Sequence, residues 1–227
     1  MNEVVINSFL AGALQTVIGH PFDTVKTLKQ TNINLNYNQI GNNILSKGYG
    51  KFYSGYIPML LGGCVQNSSM FSIEYYIKRN IKGDNDFLSG FLAGSIGSLF
   101  LSPCELIKCR LQTNSMNKFK LSNIFRGLHL TFLRDSIGLG IYFGTYRFLK
   151  EKNDNALING GLAGAMSWVY SYPIDTVKTV YQLNNNLKVK DIIIKYKYNL
   201  LKGFDIILVR SFLVNAGIFY VYEYLGN

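Results

Sequence analysis

A chain of 227 residues with 48% hydrophobic, 14% aromatic and only 16% charged residues falls well below the ~25% charge of an ordinary soluble domain, which argues against a water-soluble globule and for a membrane. Its mean hydropathy of +0.11 is low for a bundle that is apolar on every side and suits one with a wet interior. A net charge of +10 implies anionic partners such as phosphates, anionic lipid or nucleic acid, and three cysteines without a CxxC exclude a disulfide framework and a zinc site.

The chain begins MNEVVINSFLAGALQTVIGH, with an acid and no Lys or Arg before Lys26. A cleavable targeting segment would start positively charged, so this apolar run is predicted as the first structural helix. It leads into PFDTVKTLKQ at 21–30, where a proline inside a helical pattern predicts a kink. The polar stretch NYNQIGNNILSK that follows predicts a short surface helix, and FYSG, ending at Gly55, opens a second long apolar segment. The same order then returns twice. PCELIKCRLQ at 103–112 and PIDTVKTVYQ at 173–182 repeat the proline, the acid, the lysine and the closing glutamine, and Gly12, Gly94 and Gly164 each stand nine residues before a proline. IFRG and LLKG end at Gly127 and Gly203, and sixteen residues beyond the three repeat glycines stand Phe71, Phe143 and Phe219. The chain is read as a single domain over 1–227 built from repeats 1–82, 83–153 and 154–227. With two long apolar segments per repeat, the predicted fold is an all-α membrane protein with six transmembrane helices and short surface helices. His20 and His129 lack metal-ligand spacing and are read as structural. No phosphate-binding loop, Ser-His-Asp set or metal cluster is visible, so neither an enzyme nor a cofactor is expected.

The triple Px[DE]xx[KR], as PFDTVK, PCELIK and PIDTVK, with FRG complete and YSG and LKG partial copies of a second motif, resembles the mitochondrial carrier family over essentially the whole chain. The short connections and the many Asn, Ile, Lys and Tyr residues point to a compact, virus-encoded member. The resemblance implies a monomeric exchanger of a small-molecule substrate in the mitochondrial inner membrane, working by alternating access. It implies a matrix-side gate of three ion pairs, Asp23–Lys108, Glu105–Lys178 and Asp175–Lys26, braced by Gln30, Gln112 and Gln182. It implies a cytosolic gate too, for which only Lys78, Lys150 and Glu223 stand in the expected places, with Tyr75 and Arg147 where acids are expected. Cardiolipin is the expected bound lipid, with Gly55, Gly127 and Gly203 as its candidate sites.

Ionisable residues at mid-membrane are costly and usually functional. Seven residues after the repeat glycines come Gly62, Arg134 and Arg210, followed by Gly63, Asp135 and Ser211. In the resembled family these positions contact substrate, so Gly62, Gly63, Arg134, Asp135 and Arg210 are the candidate binding residues. Two arginines, suited by their planar forks to carboxylate or phosphate, and a basic chain favour a nucleotide substrate, with Trp168 able to stack on a base. The Arg134–Asp135 pair resembles instead the members that carry amino acids or related cationic metabolites, which is the alternative. An uncoupled leak or scaffold, motivated by the incomplete cytosolic gate, is the other. A basic nucleic-acid-binding globule would explain the charge but not six apolar segments. Fifteen basic residues fall in the matrix-side segments against six on the other side, an asymmetry that fits an oriented membrane protein attracting anionic lipid.

Overall fold

The computed structural model describes residues 2–66, 86–152 and 155–225, with side chains described within 16–66, 86–152 and 155–214. Among these residues every regular element is a helix: α1 (Asn2–Thr31), α2 (Tyr37–Leu45), α3 (described over 56–66), α4 (Asp86–Gln112), α5 (Leu128–Lys150), α6 (Ala156–Leu183), α7 (Val189–Tyr196) and α8 (Phe204–Leu225). The internal prolines Pro21, Pro103 and Pro173 do not end α1, α4 and α6, which run on to Thr31, Gln112 and Leu183. Each proline removes one ladder hydrogen bond, a local loss that packing on both sides of it outweighs. α4 packs on α5, α5 on α6, and α1 on α8, so the two ends of the chain meet and close the bundle.

The helices are polar inside and apolar outside. Arg134, Asp175, Lys178 and Gln182 are among the buried residues, whereas Phe212 is 75% exposed and Phe100, Val169, Tyr170 and Val209 are also exposed. This inversion is what a lipid-facing surface requires. By length and composition α4 alone, among the described helices, is long and apolar enough to cross a membrane. The sequence reading had six such segments. In α4 the charges after Asp86 (Glu105, Lys108 and Arg110) all fall past Pro103 and leave 87–104 uncharged, whereas Arg134 and Asp135 interrupt α5 and the Asn, Gly, Ser and Tyr residues of 159–172 lower the average of α6.

Short surface helices form in the first and third repeats. The Asn36 N–H donates to Gln39 Oε1 at 2.9 Å at the start of α2, and Ile40 and Ile44, one turn apart, are buried beneath it. Ile192 and Tyr196 do the same for α7. The second repeat has instead two short 3-10 turns, Met116–Lys118 and Leu121–Asn123. Its connection, from Gln112 to Gly127, is the shortest of the three and leaves no room for two turns of α-helix. Tyr37 ties α2 to the start of α8 by donating to Asp205 Oδ1 at 2.7 Å. Burial and that bond push its phenol above the ordinary tyrosine range.

The repeat glycines stand at the entries to α3, α5 and α8 with φ of 81°, 88° and 88° at Gly55, Gly127 and Gly203. Each also lies against a proline-bearing helix. A Cβ on Gly55 would sit 2.9 Å from Lys108 Cα, where backbone cannot yield. Left-handed strain of roughly 1–2 kcal/mol and overpacking of about 1–3 kcal/mol add in Gly55→Ala. Its melting temperature in detergent is expected to fall by about 10 °C. Gly41→Ala, in open space on α2, is expected to leave it unchanged or slightly raised. Equal melting of the two variants would contradict this account of the close approach.

Candidate functional site

The acid and lysine of each motif fall just past the proline, on the part of the helix where α1, α4 and α6 approach one another. Lys108 Nζ lies 2.8 Å from Asp23 Oδ2, Lys26 Nζ lies 2.6 Å from Asp175 Oδ2, and Lys178 pairs with Glu105. All six side chains are buried. They form the floor of a cavity of about 740 Å³ that is also lined by Trp168, Tyr142 and Gln66.

Both arginines point down into that floor. Arg134 Nη1 reaches Glu105 Oε1 at 2.9 Å and Asp175 Oδ1 at 2.8 Å, while its Nε donates to Asp135 Oδ1 at 2.7 Å. Arg210 Nε stands 2.8 Å from Asp23 Oδ1, within ion-pair range but off the N–H direction. Each floor acid is therefore matched by a lysine and an arginine. Asp135 Oδ2, by contrast, is buried with no hydrogen-bond partner among the described residues, on a side chain that lines the cavity. Among the described residues the lining holds five basic side chains, at 26, 108, 134, 178 and 210, against four acidic ones, at 23, 105, 135 and 175.

The other expected residues are placed less symmetrically. Gln30 Nε2 donates to Asp175 Oδ2 at 3.0 Å and so touches its ion pair directly. Gln112 reaches Thr24 Oγ1 instead, at 3.0 Å, and both amide atoms of Gln182 lack a partner among the described residues. Of the three glutamines expected to brace the ion pairs, Gln30 alone touches one among the described residues, and Arg134 is the side chain that donates to Glu105 beside Lys178. Gly62 and Gly63 do not line the cavity. A Cβ on Gly62 would press on Cys104 Cβ at 2.8 Å, which makes it a contact glycine for α4, and one on Gly63 would meet nothing. Trp168 faces the cavity with the Lys26 ammonium 5.1 Å from its ring centroid, a cation–π contact. At the other end Lys150 is exposed, Lys78 lies outside the described residues, and so does the side chain of Glu223. Arg147, at an expected acid position, pairs with Asp86 of α4 at 2.8 Å.

Sequence reasoning also missed the bases that cap the proline-bearing helices. Lys51 Nζ donates to Leu111 O at 2.7 Å and Arg126 Nε to Tyr181 O at 2.9 Å, satisfying carbonyls at helix ends. Arg110, fully buried, donates to Gln182 O at 2.9 Å. The signal available was a base beside each repeat glycine, with Lys51 acting where Ser54 replaces it. Burial lowers the Lys51 ammonium below the ordinary lysine range.

The mitochondrial carrier protein model matches the chain three times in tandem, over residues 3–85, 84–155 and 152–227. The chain belongs to the mitochondrial carrier family. The membership places it in the mitochondrial inner membrane as a transporter. Among its relatives, mitochondrial ornithine transporter 1 of Saccharomyces cerevisiae is 30% identical, with 98% of this chain and 94% of the relative covered. The mitochondrial arginine transporter BAC2 of Arabidopsis thaliana is 28% identical over 97% of this chain and 89% of the relative. The glutamate/glycine mitochondrial carrier ymc1 of Schizosaccharomyces pombe is 29% identical over 93% of this chain and 89% of the relative.

Proposed function

We propose that this carrier exchanges amino acids, basic ones first, by alternating access through six membrane-spanning helices, with the three proline-end ion pairs as its matrix gate. The nucleotide reading rests on two arginines and a basic chain. Both arginines are engaged with carboxylates, and the described part of the lining carries five bases against four acids, a near balance that suits a solute bearing both signs better than a polyanion. The observation that carries the proposal is Asp135 Oδ2, a buried acceptor on a cavity-lining side chain, without a hydrogen-bond partner among the described residues. An ammonium or guanidinium group is its natural complement. The ornithine and arginine transporters among the relatives support the same class.

The doubly matched floor weighs against an uncoupled leak. Gly55, Gly127 and Gly203 stay candidate sites for cardiolipin, at helix starts where backbone amides suit a phosphate. A ligand that binds the folded state raises the melting temperature by mass action. Purified carrier titrated with ornithine, lysine, arginine, neutral amino acids and ATP is expected to be stabilised most by the basic amino acids. Stabilisation by ATP alone would restore the nucleotide reading.

A further inference from the structure

We infer that Arg110 and Arg126 are positioning residues that bind the matrix ends of α4 and α6 into one unit, so that the floor opens by α1 parting from that unit and not by three equal movements. The inference rests on the reading of the proline-end ion pairs as a gate and gives their opening an order. The two pairs made by α1 separate, and Glu105–Lys178 stays closed.

The three joints between neighbouring repeats carry one acid–lysine pair each. What surrounds the pair differs. Gln112 of α4 donates to Thr24 Oγ1 of α1 at 3.0 Å, and Gln30 of α1 donates to Asp175 Oδ2 and Thr176 Oγ1 of α6 at 3.0 and 3.1 Å. At the joint of α4 with α6 the side chain of the corresponding Gln182 makes no bond among the described residues. Arg110 works there instead. Its Nη2 donates to Gln182 O and to Asn185 Oδ1, both at 2.9 Å, so a guanidinium on α4 grips the last turn of α6 and the residues just past it. The equivalent positions, two past the motif lysine, are Leu28 and Val180 in the other repeats, and neither side chain can donate.

Arg126 fixes the same joint from the connection ahead of α5. It donates to Tyr181 O at 2.9 Å, Asn184 O at 2.7 Å and Leu187 O at 3.3 Å, with its guanidinium 4.0 Å from the Tyr181 ring centroid. Lysines hold the corresponding places at the other joints. Lys51 reaches Leu111 O at 2.7 Å and also Asn114 Oδ1, and Lys202 reaches Ile33 O at 3.4 Å. The matrix-side segments 26–54, 108–126 and 178–202 contain two arginines, Arg110 and Arg126, and both grip the end of α6. The chemistry of these donors sets which joint yields. A neutral amide bond, or the contact of a strongly hydrated and rotatable ammonium, exchanges for water at little net cost. Two planar forks on the oxygens at one helix end, where the dipole favours cations, must be stripped together. Their acceptors lie at 181–187 and are not gate carboxylates, so separating an ion pair in the floor does not release them.

Cross-links across the joints test the order. Asn32, Met116 and Asn186 are exposed just past α1, α4 and α6. Cysteines placed there in pairs, in a chain carrying Cys64→Ser, Cys104→Ala and Cys109→Ala, are joined in detergent by a rigid bis-maleimide of matched length. Each link is verified by peptide mass spectrometry, and the carrier is reconstituted for exchange of labelled ornithine, with labelled ATP as the solute should ornithine not be exchanged. The Met116–Asn186 link is expected to leave about half or more of the unlinked rate, and either link from Asn32 to lower it about tenfold or more, since opening then limits turnover. Arg110→Leu is expected to slow exchange several-fold, and the Met116–Asn186 link to restore it, a rescue that a purely structural role would not give. Arg110→Lys, which keeps the charge and loses the fork, provides the same comparison should Arg110→Leu not fold, as judged by thermal unfolding. A Met116–Asn186 link that stops exchange as completely as the others, or fails to rescue the variant, overturns the joined unit and leaves the gate reading standing. Links from Asn32 that leave exchange intact overturn both.

Discussion

Replacing Asp175 by asparagine is expected to abolish exchange and to lower the melting temperature by about 10 °C. Among the described residues no other floor acid is held by three side chains. Its Oδ2 takes Lys26 at 2.6 Å and Gln30 at 3.0 Å, and its Oδ1 takes Arg134 at 2.8 Å. Asparagine keeps the shape and removes the charge. Lys26 then loses its carboxylate partner, while the faces of Trp168 and Tyr172 remain 5.1 and 5.4 Å away. Removing one partner of a buried pair typically costs about 3–5 kcal/mol. Arg134 keeps Glu105 and Asp135, so the lower end applies. For a chain of this size about 3 kcal/mol corresponds to a drop of roughly 10 °C. Thermal unfolding in detergent and uptake into proteoliposomes read the two effects, and an unchanged melting point would show that Asp175 is not a keystone of the closed floor.

Asp135→Asn is expected to behave in the opposite sense, sparing the fold and losing the substrate. Arg134 retains Glu105 and Asp175, so the floor stays closed. What disappears is the buried carboxylate oxygen that has no partner among the described residues. A hydrogen bond to a charged group is worth about 1.5–3 kcal/mol, which is roughly 10–100-fold in affinity. The apparent KM for ornithine or lysine is expected to rise by that factor, and that for a neutral amino acid by less. Initial rates over a concentration series measure both, and a wild-type KM for lysine would remove Asp135 from the docking site.

The two variants separate what was legible in the sequence from what was not. The acid, lysine and proline spacing is covalent and recurs three times, so the repeat and its meeting point could be read directly. Which lysine meets which acid depends on the handedness of the ring, and came from the family resemblance. The arginines were legible as positions and not as contacts. A long side chain seven residues past a glycine can reach up into the cavity or down to the floor, and only the packed helices decide. That ambiguity is why two apparently free cations suggested a nucleotide. The acids that engage them, Asp23, Glu105 and Asp175, were in plain view but already assigned to lysines. Gly62 illustrates the same limit: a glycine reads as room for a ligand, whereas here it admits Cys104 of α4. The absence of a surface helix in the second repeat, by contrast, was available from the short connection between Gln112 and Gly127.

The central claim is that the cavity serves a solute carrying both a carboxylate and a cationic group. Counter-exchange in proteoliposomes tests it most directly, with labelled ornithine and labelled ATP offered separately to vesicles loaded with the same unlabelled solute. The account predicts rapid ornithine uptake that depends on internal ornithine, with ATP uptake at the level of empty vesicles. ATP exchange without ornithine exchange would contradict it, and would mean that the arginines leave their carboxylates for phosphate.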